Sequence, residues 1–357
     1  MRSVRSSQPA LEGIEPYDPK YLPADALMSA NENPENVPAP VLDEIERAVR
    51  SLAFNRYPDP LANELRDLIA QENGLARENV LIGNGGDELL FDIALAWGGP
   101  GRTFLNVPPT FSVYEANARL TGTTTVNIAR RADYTIDEEA VLARVGAGDV
   151  DYLIITSPNN PTGDLAGREF LCRLLEATDA LVVVDEAYFE FAGVTMVDCL
   201  ERFENLLILR TFSKAYSLAG VRLGYLLGSE RVIRELIKVR QPYSVDAVSQ
   251  AIGCAVCRNR DLFAPGIARI VEERDRLAAR LRSLPGVEVC DSAANYLLAR
   301  IPEAGSVWEG LYERGVLVRD FSRAPGLEGC LRISVGSPEE NDRFIEALSA
   351  ILNGTGA

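Results

Sequence analysis

The chain has no histidine among its 357 residues. This absence excludes the Ser-His-Asp and Cys-His catalytic arrangements, histidine-ligated metal sites, and the side chain that most often moves protons near neutral pH. Acid–base chemistry would therefore fall to a carboxylate, a tyrosine, a cysteine or a lysine whose pKa is lowered by its surroundings.

Long apolar runs are also absent. No stretch approaches the roughly 18 consecutive apolar residues that a membrane helix needs, and residues 1–9 are polar with no apolar signal-peptide core behind them. The six cysteines are scattered, which favours reduced thiols over a disulfide framework. Cys254 and Cys257 form a C-x-x-C pair with no second pair to complete a metal site, so we predict core packing and no metal. These features predict a cytoplasmic protein.

Positive charge is the minority sign, with 36 Lys and Arg residues against 52 Asp and Glu residues and a net charge of −16. An acidic surface repels phosphate backbones and anionic lipids, so nucleic acid and membranes are poor partners. A small anionic ligand remains possible, because a few arginines can override the global field inside a cleft.

The length exceeds what one compact core usually supports, so we expect two domains. From residue 79, apolar runs alternate with helical patterns, which predicts an α/β large domain at 36–246 with a mainly parallel seven-stranded sheet covered by helices. Residues 1–35 are assigned to an N-terminal arm and a segment joining the second domain. Residues 247–357 are assigned to a smaller α+β domain, whose last helix begins with the capping signature Ser337-Pro338-Glu339-Glu340.

Residues 211–224 contain a lysine amine together with hydroxyl groups and a guanidinium group that could bind an anion. They read Thr-Phe-Ser-Lys-Ala-Tyr-Ser-Leu-Ala-Gly-Val-Arg-Leu-Gly and follow the apolar run 206–209. A pyridoxal phosphate site needs an amine to bond the cofactor aldehyde, and hydroxyls and a guanidinium to hold a phosphate dianion. A surface lysine in a Ser/Gly loop explains a lone Ser-Lys pair equally well, so this interpretation depends on companion motifs.

A glycine-rich loop, residues 83–88, follows another predicted strand and passes into a helix predicted to start at Glu88. Asp87 could cap that helix, and the preceding glycines would leave its first amides open to an anion. A plain tight turn is the alternative explanation, because the loop matches neither a Walker motif nor G-x-G-x-x-G.

Two more loops are predicted at the same carboxyl edge of the sheet, where ligands of such sheets bind. Asp185, at the end of a buried strand, needs a cationic partner, and a protonated pyridine nitrogen would be one. Asn160 and Tyr188 could both hydrogen-bond a phenolic oxygen. An Asx-capped turn and a buried ion pair are the structural alternatives for these loops.

Four motifs taken together resemble the fold-type I pyridoxal phosphate aminotransferases, specifically the histidinol-phosphate aminotransferase family. They are N-N-P-T-G at 159–163, D-E-A-Y at 185–188, S-K-A-Y-S-L-A-G-x-R-L-G at 213–224 and C-L-R-I-S-V-G at 330–336. Their order and spacing are similar to the family's, and the likeness runs from about Asn31 to the C-terminus.

The resemblance implies catalytic roles for three residues. Lys214 would hold the cofactor and, once freed by substrate, carry a proton, while Asp185 keeps the ring nitrogen protonated and Tyr188 binds the ring hydroxyl. Phe111 falls where many relatives have tyrosine, and stacking on the ring needs only the aromatic face. The implied cofactor-binding residues are Gly86, Asp87, Phe111, Asn160, Asp185, Tyr188, Thr211, Ser213, Lys214, Arg222 and, from a second subunit, Tyr57.

For the substrate, the resemblance implies that Arg332 grips the α-carboxylate of an amino donor such as glutamate. Arg319, with Asn31 and Tyr17, would lie near the phosphate of histidinol phosphate, and Arg323 is an extra charge without an assigned role. The implied partners are a small amino donor and a keto-acid or keto-phosphate acceptor, bound by a homodimer with its sites at the interface.

The implied reaction moves an amino group from glutamate to imidazole-acetol phosphate in histidine biosynthesis. Aromatic amino acid transaminases and threonine-phosphate decarboxylases share most of these motifs, so the substrate and even the reaction type stay open at this point. A catalytically idle cofactor-binding module is a third alternative, which the intact lysine, aspartate and arginine set disfavours.

Overall fold

In this computed structural model the described residues are 5–7, 11 and 22–354, so Tyr17 lies outside them. The strands are β1 (Ala26–Met28), β2 (Val80–Asn84), β3 (Thr103–Asn106), β4 (Thr124–Asn127), β5 (Tyr152–Thr156), β6 (Leu181–Asp185), β7 (Leu206–Thr211), β8 (Leu223–Gly228), β9 (Glu288–Val289), β10 (Tyr296–Arg300), β11 (Val316–Asp320) and β12 (Cys330–Ser334). The helices are α1 (Ala39–Arg50), α2 (Asn63–Glu72), α3 (Gly85–Trp97), α4 (Val113–Leu120), α5 (Glu138–Val145), α6 (Arg168–Glu176), α7 (Phe189–Ala192), α8 (Glu230–Val239), α9 (Ala247–Arg258), α10 (Ala264–Arg282), α11 (Ala304–Glu313) and α12 (Pro338–Leu352).

A seven-stranded sheet with the order β2-β8-β7-β6-β5-β3-β4 forms the centre of the molecule. The strands β3 to β7 run parallel, and β8 alone is antiparallel to both of its neighbours, β7 and β2. The predicted α/β class and mainly parallel seven-stranded sheet are therefore confirmed. The reversal of β8 brings Gly224 beside Thr211 and Gly83, so that the loop 212–222 folds back over the sheet edge.

Both faces of this sheet are buried, which explains the continuous Val, Ile and Leu runs of its strands. Along β6, Val182 and Val184 belong to one hydrophobic cluster, whereas Leu181 and Val183 belong to the cluster on the opposite face. This alternation follows from the two-residue period of a strand. Because both faces are covered, polar side chains can meet a ligand only where the strands end.

A second sheet, with the order β1-β11-β12-β10-β9, packs with the later part of α10 and with α11 and α12 around its own core. The strand β1 pairs in parallel with β11, placing Met28 opposite Val318, and so delivers residues 29–31 to the edge of the large sheet. Helix α10 contributes Ile270 to the large-sheet core and Leu277 to the second core. The domain limits at 35/36 and 246/247 stay predictions.

The C-x-x-C pair lies on α9, where Cys254 is part of the large core and Cys257 packs against it, as predicted. All six cysteines are free thiols. In the part of the chain that the structure describes, no helix combines the length and apolar composition needed to cross a bilayer.

Candidate active site

Lys214 lies in the loop that follows β7, at the carboxyl edge of the large sheet. Its Nζ donates a hydrogen bond of 2.9 Å to the backbone carbonyl of Ala30. Burial and the neighbouring positive charge of Arg332 lower the pKa of the Lys214 ammonium to about 8, so the amine is partly neutral near physiological pH. A partly neutral amine is able to act as a nucleophile and as a base.

Asp185 ends β6 and is 4% exposed. Its Oδ1 accepts from the amide of Ala187 at 3.0 Å, and its Oδ2 accepts from the hydroxyl of Tyr114 at 2.7 Å. Burial raises the pKa of Asp185 to about 6. A carboxylate has about four lone-pair sites, so the two donors leave room for a third, cationic donor.

Tyr114 is a site residue that the sequence analysis missed. It lies on α4, is 2% exposed, and its hydroxyl oxygen is 2.7 Å from the Thr156 hydroxyl as well as 2.7 Å from Asp185. One signal was present in the sequence, because Tyr114 follows the predicted stacking residue Phe111 by only three positions, although Phe111 itself precedes α4. The two rings meet edge to face, with centroids 5.6 Å apart.

Arg332 extends from β12 into the same edge and is 7% exposed. Its Nη1 donates to Oδ1 of Asn160 at 2.5 Å, and its Nη2 donates to the carbonyl of Ser29 at 2.6 Å. Its guanidinium carbon lies 5.4 Å from the ring centroid of Tyr296. The two Nη atoms of the guanidinium thus donate to uncharged oxygen atoms. A carboxylate, which accepts from a guanidinium more strongly, can replace them.

Arg319 and Arg332 are direct cross-strand partners on β11 and β12. Side chains at paired positions lie on the same face of a sheet, and like charges at such positions repel each other. A bound anion near both side chains would reduce that repulsion. The strand register therefore places the two arginines that were assigned to the substrate at paired positions on the same face of the sheet.

Asn31 is buried, with a positive φ of 56°. Its Nδ2 donates to the Tyr188 hydroxyl at 3.0 Å, its Oδ1 accepts from the Ser334 hydroxyl at 3.0 Å, and its carbonyl accepts from Asn295. The Asn31 side chain is therefore engaged at both of its ends. A tyrosine oxygen that accepts one bond can still donate its own proton, so Asn31 orients the Tyr188 hydroxyl.

Three consecutive residues after β1 thus contact three of the predicted site residues. Ser29 contacts Arg332, Ala30 contacts Lys214 and Asn31 contacts Tyr188. We name residues 29–31 the strap. The strap closes one side of the site because the pairing of β1 with β11 fixes where it starts.

The glycine-rich loop forms the N-terminal end of α3, which begins at Gly85 and not at Glu88 as predicted. Asn84 takes the N-cap position, so the prediction that Asp87 caps this helix is wrong. The carboxylate of Asp87 instead accepts from Nη2 of Arg222 at 3.0 Å. Gly85 has a φ of +78°, and the open amides of this first turn point to an anion site.

Close backbone approach at this turn depends on Gly224 in β8. A Cβ atom on Gly224 would lie 2.8 Å from backbone atoms of Gly85 and Gly86. Arg222 reaches the same place from a backbone φ of 57°, and its Nη1 lies 3.5 Å from the Ser213 hydroxyl. Arginine, serine and helix amides therefore converge, as a phosphate site requires.

Two predicted cofactor residues have other contacts in this chain. The Thr211 hydroxyl donates to the Leu223 carbonyl at 3.2 Å and accepts from the Ser213 amide at 3.1 Å, which shapes the turn into the Lys214 loop. Tyr57 is 83% exposed and stacks on Tyr243 with ring centroids 4.7 Å apart. Their roles toward a cofactor stay predictions, and Tyr57 would act only across a subunit interface.

The residues present fit a flat, phosphorylated pyridine aldehyde. A buried carboxylate would accept from a protonated ring nitrogen, a partly neutral amine lies at the same edge, and a glycine-dependent helix N-terminus with an arginine suits the phosphate. The convergence of these features at one sheet edge supports this cofactor.

Comparison with known proteins agrees with this geometry. The sequence profile of the aminotransferase class I and II family matches residues 26–348. Histidinol-phosphate aminotransferase 1 of Carboxydothermus hydrogenoformans is 40% identical over 353 residues, covering 99% of this chain and 100% of that protein. The histidinol-phosphate aminotransferase of Thermoanaerobacter sp. (strain X514) is 39% identical over 342 residues, covering 96% and 97%. The crystal structure of histidinol-phosphate aminotransferase from Sinorhizobium meliloti in complex with pyridoxal-5′-phosphate is similar in fold, with a TM-score of 0.89, 24% identity, and 99% coverage of each chain.

Proposed function

Because this chain belongs to the aminotransferase class I and II family, we propose that it is a pyridoxal phosphate-dependent aminotransferase that converts L-histidinol phosphate and 2-oxoglutarate to imidazole-acetol phosphate and glutamate. We place it in the cytoplasm as a homodimer with sites at the subunit interface. The observation that carries the proposal is the cross-strand pair of Arg319 and Arg332 beside the partly neutral amine of Lys214.

The bound cofactor supplies a protonated ring that withdraws electrons from the substrate carbon. Asp185 would bind its ring nitrogen, and Asn160 and Tyr188 would bind its ring hydroxyl. Phe111 would lie against the ring face. The phosphate would be bound by Ser213, Arg222, Thr211, the amides of Gly86 and Asp87, and Tyr57 of the second subunit.

Lys214 would carry the proton of the reaction on its Nζ. With a pKa of about 8 the amine is neutral often enough to remove a proton from the substrate carbon, and the ammonium formed in that step would then return the same proton. The strap carbonyl of Ala30 would hold this amine in place between the two events. One group thereby does the work for which other enzymes use histidine.

Arg332 would exchange its bonds to Ser29 and Asn160 for the α-carboxylate of glutamate. Arg319 would add the second charge that a phosphate or side-chain carboxylate requires. The bonds of Asn31 to Tyr188 and Ser334 favour a role in orienting Tyr188. Asn31 would also contact the phosphate of the substrate.

The test is a substrate comparison with purified protein supplemented with pyridoxal phosphate. We expect amination of imidazole-acetol phosphate by glutamate to exceed amination of phenylpyruvate by at least ten-fold in kcat/KM. Amination of phenylpyruvate alone would make the chain an aromatic transaminase, and release of carbon dioxide from threonine phosphate would make it a decarboxylase. A preparation that stays colourless with added cofactor would contradict the whole proposal.

A further inference from the structure

We propose that Tyr114 is a positioning residue for the cofactor ring. It acts through a hydrogen bond to Asp185, and Thr156 orients the Tyr114 hydroxyl for that bond. Its hydroxyl donates to Oδ2 of Asp185 at 2.7 Å inside the apolar cluster on one face of the large sheet. The inference rests on the proposed function, because the group that Asp185 would bind is the ring nitrogen of pyridoxal phosphate.

The direction of each hydrogen bond follows from the charge of Asp185. An ionised carboxylate can only accept hydrogen bonds, so the Tyr114 hydroxyl must donate its single proton to Oδ2. The contact of 2.7 Å between the hydroxyls of Tyr114 and Thr156 then has Thr156 as its donor. Thr156 is also the register partner of Asp185 across β5 and β6, so the sheet holds the Thr156 hydroxyl at the strand position next to the carboxylate, where it reaches Tyr114 from α4.

This arrangement has a consequence for the orientation of the carboxylate. The amide of Ala187 fixes Oδ1 and Tyr114 fixes Oδ2, so the carboxyl plane has no freedom to rotate. The lone pairs that these two donors leave unused are then held in fixed directions, where they would accept from the N–H of the ring nitrogen. Without the hydroxyl, one oxygen of Asp185 would be held by the protein and the other would not.

The same bond keeps Asp185 charged. Burial raises the pKa of Asp185, whereas the hydrogen bonds from Tyr114 and Ala187 lower it. Two charged groups among the described residues, Asp87 on α3 and Glu186 directly after β6, raise the pKa of Asp185 further. Each of these carboxylates is itself paired, Asp87 with Arg222 and Glu186 with Arg210. Tyr114 is therefore the side chain that offsets the burial of the charge.

The test compares the variant Tyr114→Phe with Tyr152→Phe. Both tyrosines are buried in the same cluster, and the Tyr152 ring stacks on Phe104 at 4.8 Å, but only the Tyr114 hydroxyl bonds to Asp185. The pyridoxal phosphate dissociation constant is measured by titrating the apoprotein. A hydrogen bond to a charged group is among the stronger ones, so Tyr114→Phe is expected to raise this constant about ten-fold or more. Tyr152→Phe is expected to change it less than about two-fold, because the bond to Asp185 is intact.

A second measurement separates positioning from general support of the fold. The titration is repeated with 1-deazapyridoxal phosphate, in which a C–H group replaces the ring nitrogen. Because the effect of Tyr114 passes through the bond between Asp185 and that nitrogen, the two constants for wild type and Tyr114→Phe should agree within about two-fold for this analogue. Equal weakening for both cofactors would show that Tyr114 is only structural and would overturn the inference.

Thr156→Val keeps the test decisive if Tyr114→Phe does not fold. It removes the donor that orients the Tyr114 hydroxyl, and we expect the same pattern with a smaller change of about three-fold.

The pH dependence of pyridoxal phosphate binding should also shift to higher pH in either variant, by about one unit in Tyr114→Phe, because the charged form of Asp185 loses a hydrogen bond that stabilises it. A wild-type protein that binds no pyridoxal phosphate overturns the proposed function. A wild type that attaches pyridoxal phosphate at Lys214, with variants no different from Tyr152→Phe, overturns this inference alone.

Discussion

The Nζ of Lys214 donates to the carbonyl of Ala30, two residues beyond the end of β1, across 184 positions of sequence. The catalytic loop after β7 and the N-terminal segment are thereby joined through one ammonium group. The strap carbonyl of Ser29 likewise accepts from Arg332, so two strap carbonyls occupy donors that the proposed ligands need. Loading the site must rearrange these contacts.

Cofactor loading is expected to depend on pH through Lys214. The amine is reactive only when neutral, and its pKa of about 8 means that the neutral fraction rises as pH rises through 8. The rate at which the apoprotein takes up pyridoxal phosphate should therefore increase between about pH 7 and 9 and level off above it. Stopped-flow absorbance checks this, and a midpoint near the ordinary lysine value of 10.5 would contradict the environment described for Lys214.

Replacing Lys214 with alanine should abolish the visible absorption of the bound cofactor and all turnover. The fold should persist, because the Lys214 side chain is at the edge of the sheet and belongs to none of the three hydrophobic clusters described above. Absorbance, turnover and circular dichroism provide the measurements. Full activity in Lys214→Ala would refute the assignment of the amine.

Substitutions of the two paired arginines, Arg319 and Arg332, should affect different substrates. Arg332→Gln is expected to raise the KM for glutamate by about a hundred-fold or more, since a buried charge-paired contact is lost. Arg319→Gln is expected to weaken histidinol phosphate more than glutamate. Steady-state kinetics with each amino donor measure the split, and an equal effect of both variants on both donors would mean that the pair acts as one undivided anion site.

Asp185→Asn should stabilise the apoprotein while it removes activity. The pKa of Asp185 is raised from 3.8 to about 6, so between these values the folded state holds a proton that the unfolded state has released, and stability falls as pH rises. Above about pH 6 the buried charge of Asp185 lowers the free energy of unfolding by its full amount, roughly 3 kcal/mol. Asparagine is uncharged, so it does not lower the free energy of unfolding in this way. Urea unfolding should show the gain at pH 7.5 and a smaller one at pH 5. A gain independent of pH would assign it to another cause.

Gly224→Ala should damage the phosphate site, because its Cβ would lie 2.8 Å from the backbone of Gly85 and Gly86. Relieving that contact must move the first turn of α3, at a cost of about 1–3 kcal/mol in the free energy of unfolding and a weaker affinity for pyridoxal phosphate. Gly220→Ala is the matched control in the same stretch, because its added Cβ would have no described atom within 4 Å beyond its own chain neighbours. Similar losses in both variants would count against the close approach.

Several features of this molecule could be derived from local sequence. The capping signature at Ser337 predicted the last helix, and the structure shows both of its hydrogen bonds, with α12 beginning at Pro338. The lengths and apolar composition of the central strands predicted a doubly covered, mainly parallel sheet. These predictions succeed because caps and strand periodicity depend on neighbours a few residues apart.

Other features were beyond local reasoning. Helix α3 begins three residues before the predicted start, because Gly85 and Gly86 join the helix where β8 lets the backbone approach. The sequence analysis gave Tyr114 no role, and only its distance of 2.7 Å from Asp185 reveals a partner 71 positions away.

The sequence by itself determined the chemistry available to this protein: one reactive lysine, a carboxylate at a strand end, arginines and glycines in recognisable motifs, and no histidine. The tertiary structure decided which of these groups meet. Strand register places Arg319 opposite Arg332, and the pairing of β1 with β11 carries the strap to Lys214. Such contacts join positions far apart in the chain, and they form only when burial of the two cores fixes the sheets relative to each other.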